Sequence, residues 1–419
     1  MSRTLSVSSE ISSLNKVIVH RPDEGIARVS PKRSEELLFD DIVFLPRMQE
    51  EHDVFVAVLK SFVGKDGVLE TRDLILESLE AHPEGKAELI SLLVDFEELP
   101  TSFEKQLLEL DNEVLTKVLV TGYDREDDFV YFDPIPNFIF TRDIAVMIND
   151  HCLITKASKT ARYRENLLTR FFLWSHPLFA DLKEGGKLIN LNDLNAFPPS
   201  PRGEKVSIEG GDIMILNEDT LVIGTSERST AHAFDSIKKV MFEKDIVENV
   251  VQVVVPPERS YMHIDTLFTQ VDTNLFVAHK PIVVDGLSSY VTVHTKNGTE
   301  RSYPSVEQFL KAEISGETEF VLGGEGRSPY QEREQWTDAC NLLTIRPGVA
   351  LAYDRNLMTE KAFKAKGYSI LPALEFLSLV QNQQLDPDSL TKTIISLPSG
   401  ELSRARGGSH CMSCPIDRA

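Results

Sequence analysis

Asp143-Ile-Ala-Val-Met-Ile148 runs through the turn Asn149-Asp150 into Cys152-Leu-Ile-Thr155, an apolar hairpin opened by an acidic residue. The pattern recurs. Asp212-Ile-Met-Ile-Leu216 passes through Asn217-Glu-Asp219 into Leu221-Val-Ile-Gly-Thr225. Asp265-Thr-Leu-Phe-Thr-Gln-Val271 turns at Asp272-Thr-Asn274 and returns through Leu275-Phe-Val-Ala278. A looser fourth copy, Asn341-Leu-Leu-Thr-Ile345 through Arg346-Pro-Gly348 to Val349-Ala-Leu-Ala352, lacks the leading acid. Helical text follows the first two hairpins, from Arg162 and from Ala231. Hairpin-plus-helix units of roughly 50 to 70 residues bury their apolar faces only against one another, which predicts an α/β ring or propeller over a linear sheet. In a ring, equivalent positions converge on the axis, so Asp143, Asp212 and Asp265 are expected at one end of a central channel, as a negative pocket.

Upstream of the repeats, Lys16-Val-Ile-Val-His20 reads as a strand, and a second apolar segment spans Leu37 to Leu45. From Met48 to Val120 the period becomes that of amphipathic helix, broken by turn signals at Gly64 to Gly67 and Pro83 to Gly85. Residues 48–120 are therefore expected to form a helical insertion within one catalytic unit spanning residues 1–419. With 42% hydrophobic and 26% charged side chains, 419 residues can bury a large core. A net charge of -21 without clustered Lys and Arg excludes nucleic acid as a partner. The same negative field would attract a small cation, although solubility explains it equally well. Met1 to Ser13 lacks the layout of a secretory signal, and no apolar run is long enough to span a membrane. Cys152, Cys340, Cys411 and Cys414 are too sparse for a disulfide framework, so a reducing cytoplasmic setting is expected.

Three constellations carry chemistry. Glu209-Gly-Gly-Asp212 sets two carboxylates around glycines that permit tight turning and close approach of a ligand; alone it is an ordinary turn entering a strand. His263-Ile-Asp265 is a period-2 pair whose side chains would share one face of a strand, and Asp265 also holds a leading-acid position. Near the C-terminus, Arg404-Ala-Arg-Gly-Gly-Ser-His-Cys411-Met-Ser-Cys414 places a thiol after a glycine turn, where Arg406 and His410 would favour the nucleophilic thiolate if they lie close. A redox Cys-x-x-Cys lacks a thioredoxin-like context, and a zinc site lacks further ligands. A thiol, a histidine and four carboxylates, with no phosphate loop or dinucleotide fingerprint, suit a cationic electrophile. A planar guanidinium, with five N–H donors for Asp and Glu, is the natural candidate.

These residues carry a resemblance over nearly the whole chain. His20-Arg-Pro22, Leu37-Leu-Phe-Asp-Asp-Ile42, Pro136-Asn-Phe-Ile-Phe-Thr-Arg-Asp143, Glu209-Gly-Gly-Asp212, His263-Ile-Asp265 and Arg406-Gly-Gly-Ser-His-Cys-Met-Ser413 resemble the arginine deiminases of the guanidine-modifying superfamily. The helical insertion resembles one that agmatine deiminases and dimethylarginine hydrolases lack. Ser409 departs from the Gly or Pro common there, outside the matched catalytic positions. The resemblance implies a five-unit ββαβ propeller with pseudo-fivefold symmetry, hydrolysis of free L-arginine to L-citrulline and ammonia without a cofactor, and a homodimer or homotetramer. It implies that Cys411 attacks the guanidinium carbon, that Asp143 and Asp265 grip the guanidinium nitrogens, and that His263, with Glu209 beside it, moves the protons. It also implies that Arg162, Arg228 and Asn137 hold the substrate α-carboxylate and that Phe140 walls its aliphatic chain. Asp212 would give polar support or an ammonium contact, and Arg406 would sit beside the thiol and the carboxylate end.

Three rivals remain open to test. An amidinotransferase would resolve the covalent intermediate with an amine, and a non-catalytic relative would only bind arginine. A divalent-metal hydrolase built on Asp143, Glu209, Asp212, His263 and Asp265 would leave Cys411 without a task.

Overall fold

The structure is a computed structural model describing residues 4–39, 41–287 and 289–419, so Asp40 of the Leu37–Ile42 motif and the first three residues of the N-terminal segment lie outside the described residues. The first hairpin folds as Ala145–Ile148 antiparallel to His151–Ile154. After the helices Tyr163–Ser175 and Ala180–Glu184, Leu188–Asn190 pairs parallel to the second arm. The second repeat does the same with Ile213–Asn217, Thr220–Thr225, the helix Ala231–Glu243 and the parallel strand Asn249–Val254. In the third, Phe268–Asp272 and Leu275–Ala278 gain Glu319–Leu322 in parallel. In the fourth, Leu343–Arg346 and Val349–Tyr353 gain Thr393–Leu397, which also pairs with Ser369–Pro372. The parallel third strand needs a crossover, which explains the long excursion after each hairpin.

These modules form separate small sheets in an α/β fold. The second sheet is widened to five strands by the hairpin Tyr290–Thr295 and Glu300–Tyr303. A further sheet joins the two ends of the described chain: Leu14–Val19 pairs antiparallel with Cys414–Arg418 and parallel with Val68–Glu70. Helices Leu45–Val63, Thr71–Ala81, Pro83–Phe96, Ser102–Glu109 and Asn112–Thr121 fill the stretch read as helical. The strand Val68–Glu70 within it is too short to show a period of two. Leu45–Val63 packs its Phe55, Val58 and Leu59 into a core shared with the fourth module, whereas the other four helices pack with Tyr163–Ser175 into the core of the first. The apolar segment from Leu37 is not a strand: Leu37 and Phe39 are buried from a run of turns.

The leading acids do not open the strands either. Asp143 and Asp212 end the short 3-10 turns Thr141–Asp143 and Gly210–Asp212, and Asp265 lies within Ile264–Thr266. The expectation that His263 and Asp265 share the face of a strand is therefore corrected, since the strand begins only at Phe268. The turns nevertheless meet, with Gly211 N donating to Asp143 Oδ1 at 3.1 Å and Ile264 N donating to Asp212 Oδ1 at 3.0 Å.

Phe172, fully buried on the helix that follows Arg162, is central to the first core. Phe172→Ala is expected to destabilise the protein by about 3 to 5 kcal/mol, measured by urea unfolding; a change below about 1 kcal/mol would show that this contact does not hold the helix.

Candidate active site

A cavity of about 760 Å³ opens where the turns meet. Asn137, Phe140, Asp143, Arg162, Glu209, Arg228, His263, Arg406 and Cys411 all line it. Asp265 lies behind the thiol, its Oδ2 3.5 Å from Cys411 Sγ. Asp212 is further back: Oδ2 accepts from Ser226 and Ser229, each at 2.6 Å, and Oδ1 takes the Ile264 amide. Both oxygens are thus engaged within the protein. Burial raises the Asp212 pKa against the opposing pull of His263 and these donors.

The glycine pair after Glu209 serves protein packing and not the approach of a ligand. A Cβ at Gly210 would lie 2.0 Å from the Arg142 carbonyl oxygen, and one at Gly211 would lie 2.6 Å from His263 Nδ1. His263 thus rests on the glycine turn, with Nε2 3.0 Å from Glu209 Oε2 and Nδ1 3.8 Å from Asp143 Oδ1. Burial works against its positive charge, but Asp143, the Glu209 hydrogen bond and Asp212 outweigh it and raise the pKa to about 10. Burial likewise opposes ionisation of Glu209, yet Arg162, His263 and Arg228 hold its pKa well below the carboxylate range. Both shifts favour the charged pair, imidazolium against carboxylate.

The loop that carries Cys411 has the same economy of space. Arg406 adopts a left-handed φ of 61°, and a Cβ at Gly407 would lie 2.3 Å from the Phe140 ring. One at Gly408 would lie 2.6 Å from both the backbone and side-chain oxygens of Asn341. Asn341 Oδ1 accepts from the Cys411 amide at 3.1 Å, while Asn341 Nδ2 donates to the Asp265 carbonyl at 3.2 Å. Sequence reasoning missed Asn341, although it stands at the leading position of the fourth repeat, where the acid is absent.

The expected help for the thiolate is not found in this state. His410 turns Nδ1 onto Asp265 Oδ2 at 2.8 Å, and the Arg406 guanidinium lies 3.3 Å from the centre of the Trp336 ring. Burial, then Asp265, Asp143 and Asp338, push the Cys411 thiol well above its ordinary range. Asp338, another residue the sequence did not single out, is itself raised to about 8 by burial, with Asp265 adding to the shift and Arg406 opposing it.

Every nitrogen of Arg162 is engaged within the protein. Nη1 donates to Asp143 Oδ2 at 2.7 Å and to Glu209 Oε2 at 3.0 Å; Nε lies 3.0 Å and Nη2 2.8 Å from Glu165 Oε2; Nη2 also reaches the Asn137 carbonyl at 3.4 Å. Glu165, unremarked in the sequence, has its pKa raised to about 7 by burial despite Arg162. Arg228 Nη1 stands 3.7 Å from Glu209 Oε1, and Asn137 Nδ2 donates to the Leu37 carbonyl at 2.7 Å. Ligand atoms of Asp143, Glu209 and His263 lie within 4.8 Å of one another, a spacing that could suit a metal ion, but the Arg162 guanidinium already bridges the two carboxylates. Four buried carboxyl oxygens about the site, Glu165 Oε1, Glu209 Oε1, Asp265 Oδ1 and Asp338 Oδ2, accept no hydrogen bond among the described residues.

The pattern of the arginine deiminase family matches residues 35–418. Over its full length the chain is 30% identical to an arginine deiminase of Listeria monocytogenes serovar 1/2a, covering 98% of that protein. Among solved structures it resembles an adduct of dimethylarginine dimethylaminohydrolase with 4-chloro-2-hydroxymethylpyridine, with a TM-score of 0.50 and 13% identity over 96% of this chain and 99% of that one. It also resembles SxtG, an amidinotransferase from Microseira wollei, with a TM-score of 0.50 and 11% identity over 99% and 98% of the two chains. At such identities these structures establish a shared α/β fold.

Because the thiol pKa is raised, the free enzyme is expected to keep Cys411 protonated through neutral pH and to form thiolate only in alkali. Thiolate absorbance of the wild type minus that of Cys411→Ser, followed against pH, checks this; a Cys411 transition below pH of about 7 would refute it.

Proposed function

The chain belongs to the arginine deiminase family, and we propose that it hydrolyses free L-arginine to L-citrulline and ammonia through a covalent S-alkylthiouronium on Cys411. The observation that carries this reading is a buried Asp265 oxygen with no hydrogen bond, and a buried Glu209 oxygen met only by the Arg228 guanidinium at 3.7 Å, beside a thiol whose pKa is raised. Leaving such oxygens unpaired is costly, and a guanidinium supplies N–H donors and positive charge together. Arg162, with its guanidinium across Asp143 and Glu209, supports the same ligand chemistry from within the chain.

In this scheme the substrate guanidinium replaces Arg162 between the carboxylates, and Arg162 turns with Arg228 and Asn137 to the substrate α-carboxylate. Phe140 walls the aliphatic chain. Asp143 and Asp265 hold the guanidinium carbon in line with Sγ. The bound cation offsets the carboxylates that keep the thiol protonated, so the thiol loses its proton to solvent. Sγ then bonds to the guanidinium carbon, and the resulting tetrahedral adduct expels ammonia, which takes its proton from the His263 imidazolium. The neutral imidazole, oriented by Glu209, accepts a proton from water as its oxygen adds to the thiouronium carbon. Collapse of the second adduct breaks the C–S bond and releases citrulline.

The four ββαβ modules and the sheet of Leu14–Val19, Val68–Glu70 and Cys414–Arg418 support reading residues 1–419 as one catalytic five-unit propeller, with residues 48–120 as its helical insertion. From the family resemblance we also infer a cytoplasmic homodimer or homotetramer, and four buried free thiols fit a reducing compartment.

Protein quenched during turnover with L-arginine is expected to carry a mass adduct on Cys411, with citrulline accumulating; absence of both from acid to neutral pH would overturn the assignment. His263→Ala and Asp265→Ala are each expected to abolish turnover, and near-normal citrulline production by either would remove that residue from the mechanism. Arg228→Ala is expected to raise KM more than it lowers kcat, because a carboxylate clamp acts in ground and transition states alike; an unchanged KM argues against the clamp.

A further inference from the structure

Asp265 has one oxygen committed and one without a donor, so the direction of its carboxylate depends on whatever holds the committed side. That partner is His410, whose Nδ1 is 2.8 Å from Asp265 Oδ2 and whose Nε2 is 3.3 Å from Glu10 Oε2. Both ring nitrogens therefore face carboxylate oxygens. A neutral imidazole has only one N–H and an ionised carboxylate only accepts, so the doubly bonded ring is an imidazolium. Glu10 is in turn fixed on its other oxygen, which receives Arg142 Nη2 at 2.7 Å and the Ile215 amide at 3.2 Å. Arg142, Glu10, His410 and Asp265 are all buried and form a line of alternating charge that ends at the Cys411 thiol.

Resting on the function proposed above, we propose that Glu10 is a positioning residue for the reaction: it clamps the far nitrogen of His410 so that the ring donates to Asp265 and aims the remaining Asp265 oxygen for the substrate guanidinium. Glu10 belongs to none of the motifs that mark the site and comes from the segment ahead of the first strand. The groups facing His410 are Asp265 from the third repeat, Glu10 from the N-terminal segment and Arg142 from the turn of the first repeat, with Arg418 acting on Glu10 from the last strand. Burial and Arg142 oppose the His410 charge, and the two carboxylates overcome them, so its pKa is raised. Burial also opposes ionisation of Asp265, and His410 is the chief influence that lowers its pKa nonetheless.

The sign of the test follows. Replacing Glu10 by a neutral side chain removes a carboxylate that raises the His410 pKa, so the ring loses its second proton at lower pH. Glu10→Gln is expected to lower kcat/KM, most of all on the alkaline side, so that the alkaline fall of the profile moves toward acid by on the order of one pH unit. Because that variant leaves Arg142 without its carboxylate, His410→Gln is the companion: it retains the Glu10–Arg142 pair and is expected to lower kcat roughly tenfold or more, with KM changed less than kcat. Each variant is compared with wild type by thermal unfolding. A folded Glu10→Gln with a wild-type pH profile, or a folded His410→Gln with wild-type kcat, would overturn the proposal. If Glu10→Gln does not fold, His410→Gln decides alone. Failure of the underlying reading would show differently, as absence of citrulline from the wild-type enzyme.

Discussion

The structure depends on gathering carboxyl groups in a buried place. Asp143, Glu165, Glu209, Asp212, Asp265 and Glu10 are all almost inaccessible to water. Breaking a buried ion pair by removing one partner commonly costs roughly 3 to 5 kcal/mol, so each acid requires its own charge or donors. Arg162 serves Asp143, Glu165 and Glu209; His263 serves Glu209; His410 joins Asp265 to Glu10; and Arg142 meets Glu10. Asp212 is satisfied by hydroxyls and an amide instead. The glycines of the turns follow from this crowding, because a Cβ at Gly211 would enter the His263 ring and one at Gly408 would strike Asn341.

The same field keeps the buried Cys411 thiol in its protonated form. Carboxylates around Cys411 raise its pKa, whereas a cation bound among them would reverse the field at the moment a substrate is present. Reactivity is then tied to the ligand and not to the resting protein. Arg162 has the complementary position. Its guanidinium bridges Asp143 and Glu209 within the chain, so neither carboxylate is left without a cation.

Much of this was legible because hairpins leave a strong local signature. The acid-led repeats became the hairpins of the first three modules, and the loose copy at Asn341 became the fourth. Nine of the eleven candidate site residues line one cavity, with Asp265 behind Cys411 and Asp212 further back. What stayed hidden was non-local or short. Val68–Glu70 is a strand by virtue of its neighbour Leu14–Val19, and Cys414–Arg418 contains a proline and pairs with residues near the other end of the sequence. The spacing of His263 and Asp265 suggested a strand, but a 3-10 turn sends the imidazole to Glu209 and the carboxylate to Cys411 and His410. Glu10 could not be found by spacing, since its partner His410 is 400 residues away.

That separation bears on how the site comes into being. Cys411 precedes the strand Cys414–Arg418, which is held by Leu14–Val19, and Glu10 lies just before that partner strand. The same long-range pairing that joins the ends therefore carries Glu10 to His410 and the thiol to Asp265. Contacts of such separation form only after their loop-closure entropy has been met, whereas the hairpin turns bearing Asp143, Asp212 and Asp265 are local to their modules. The acidic turns can therefore be recognised one repeat at a time while the support for Cys411 cannot. Each turn is written in a few adjacent residues, but the line from Arg142 through Glu10 and His410 to Asp265 exists only in the closed fold.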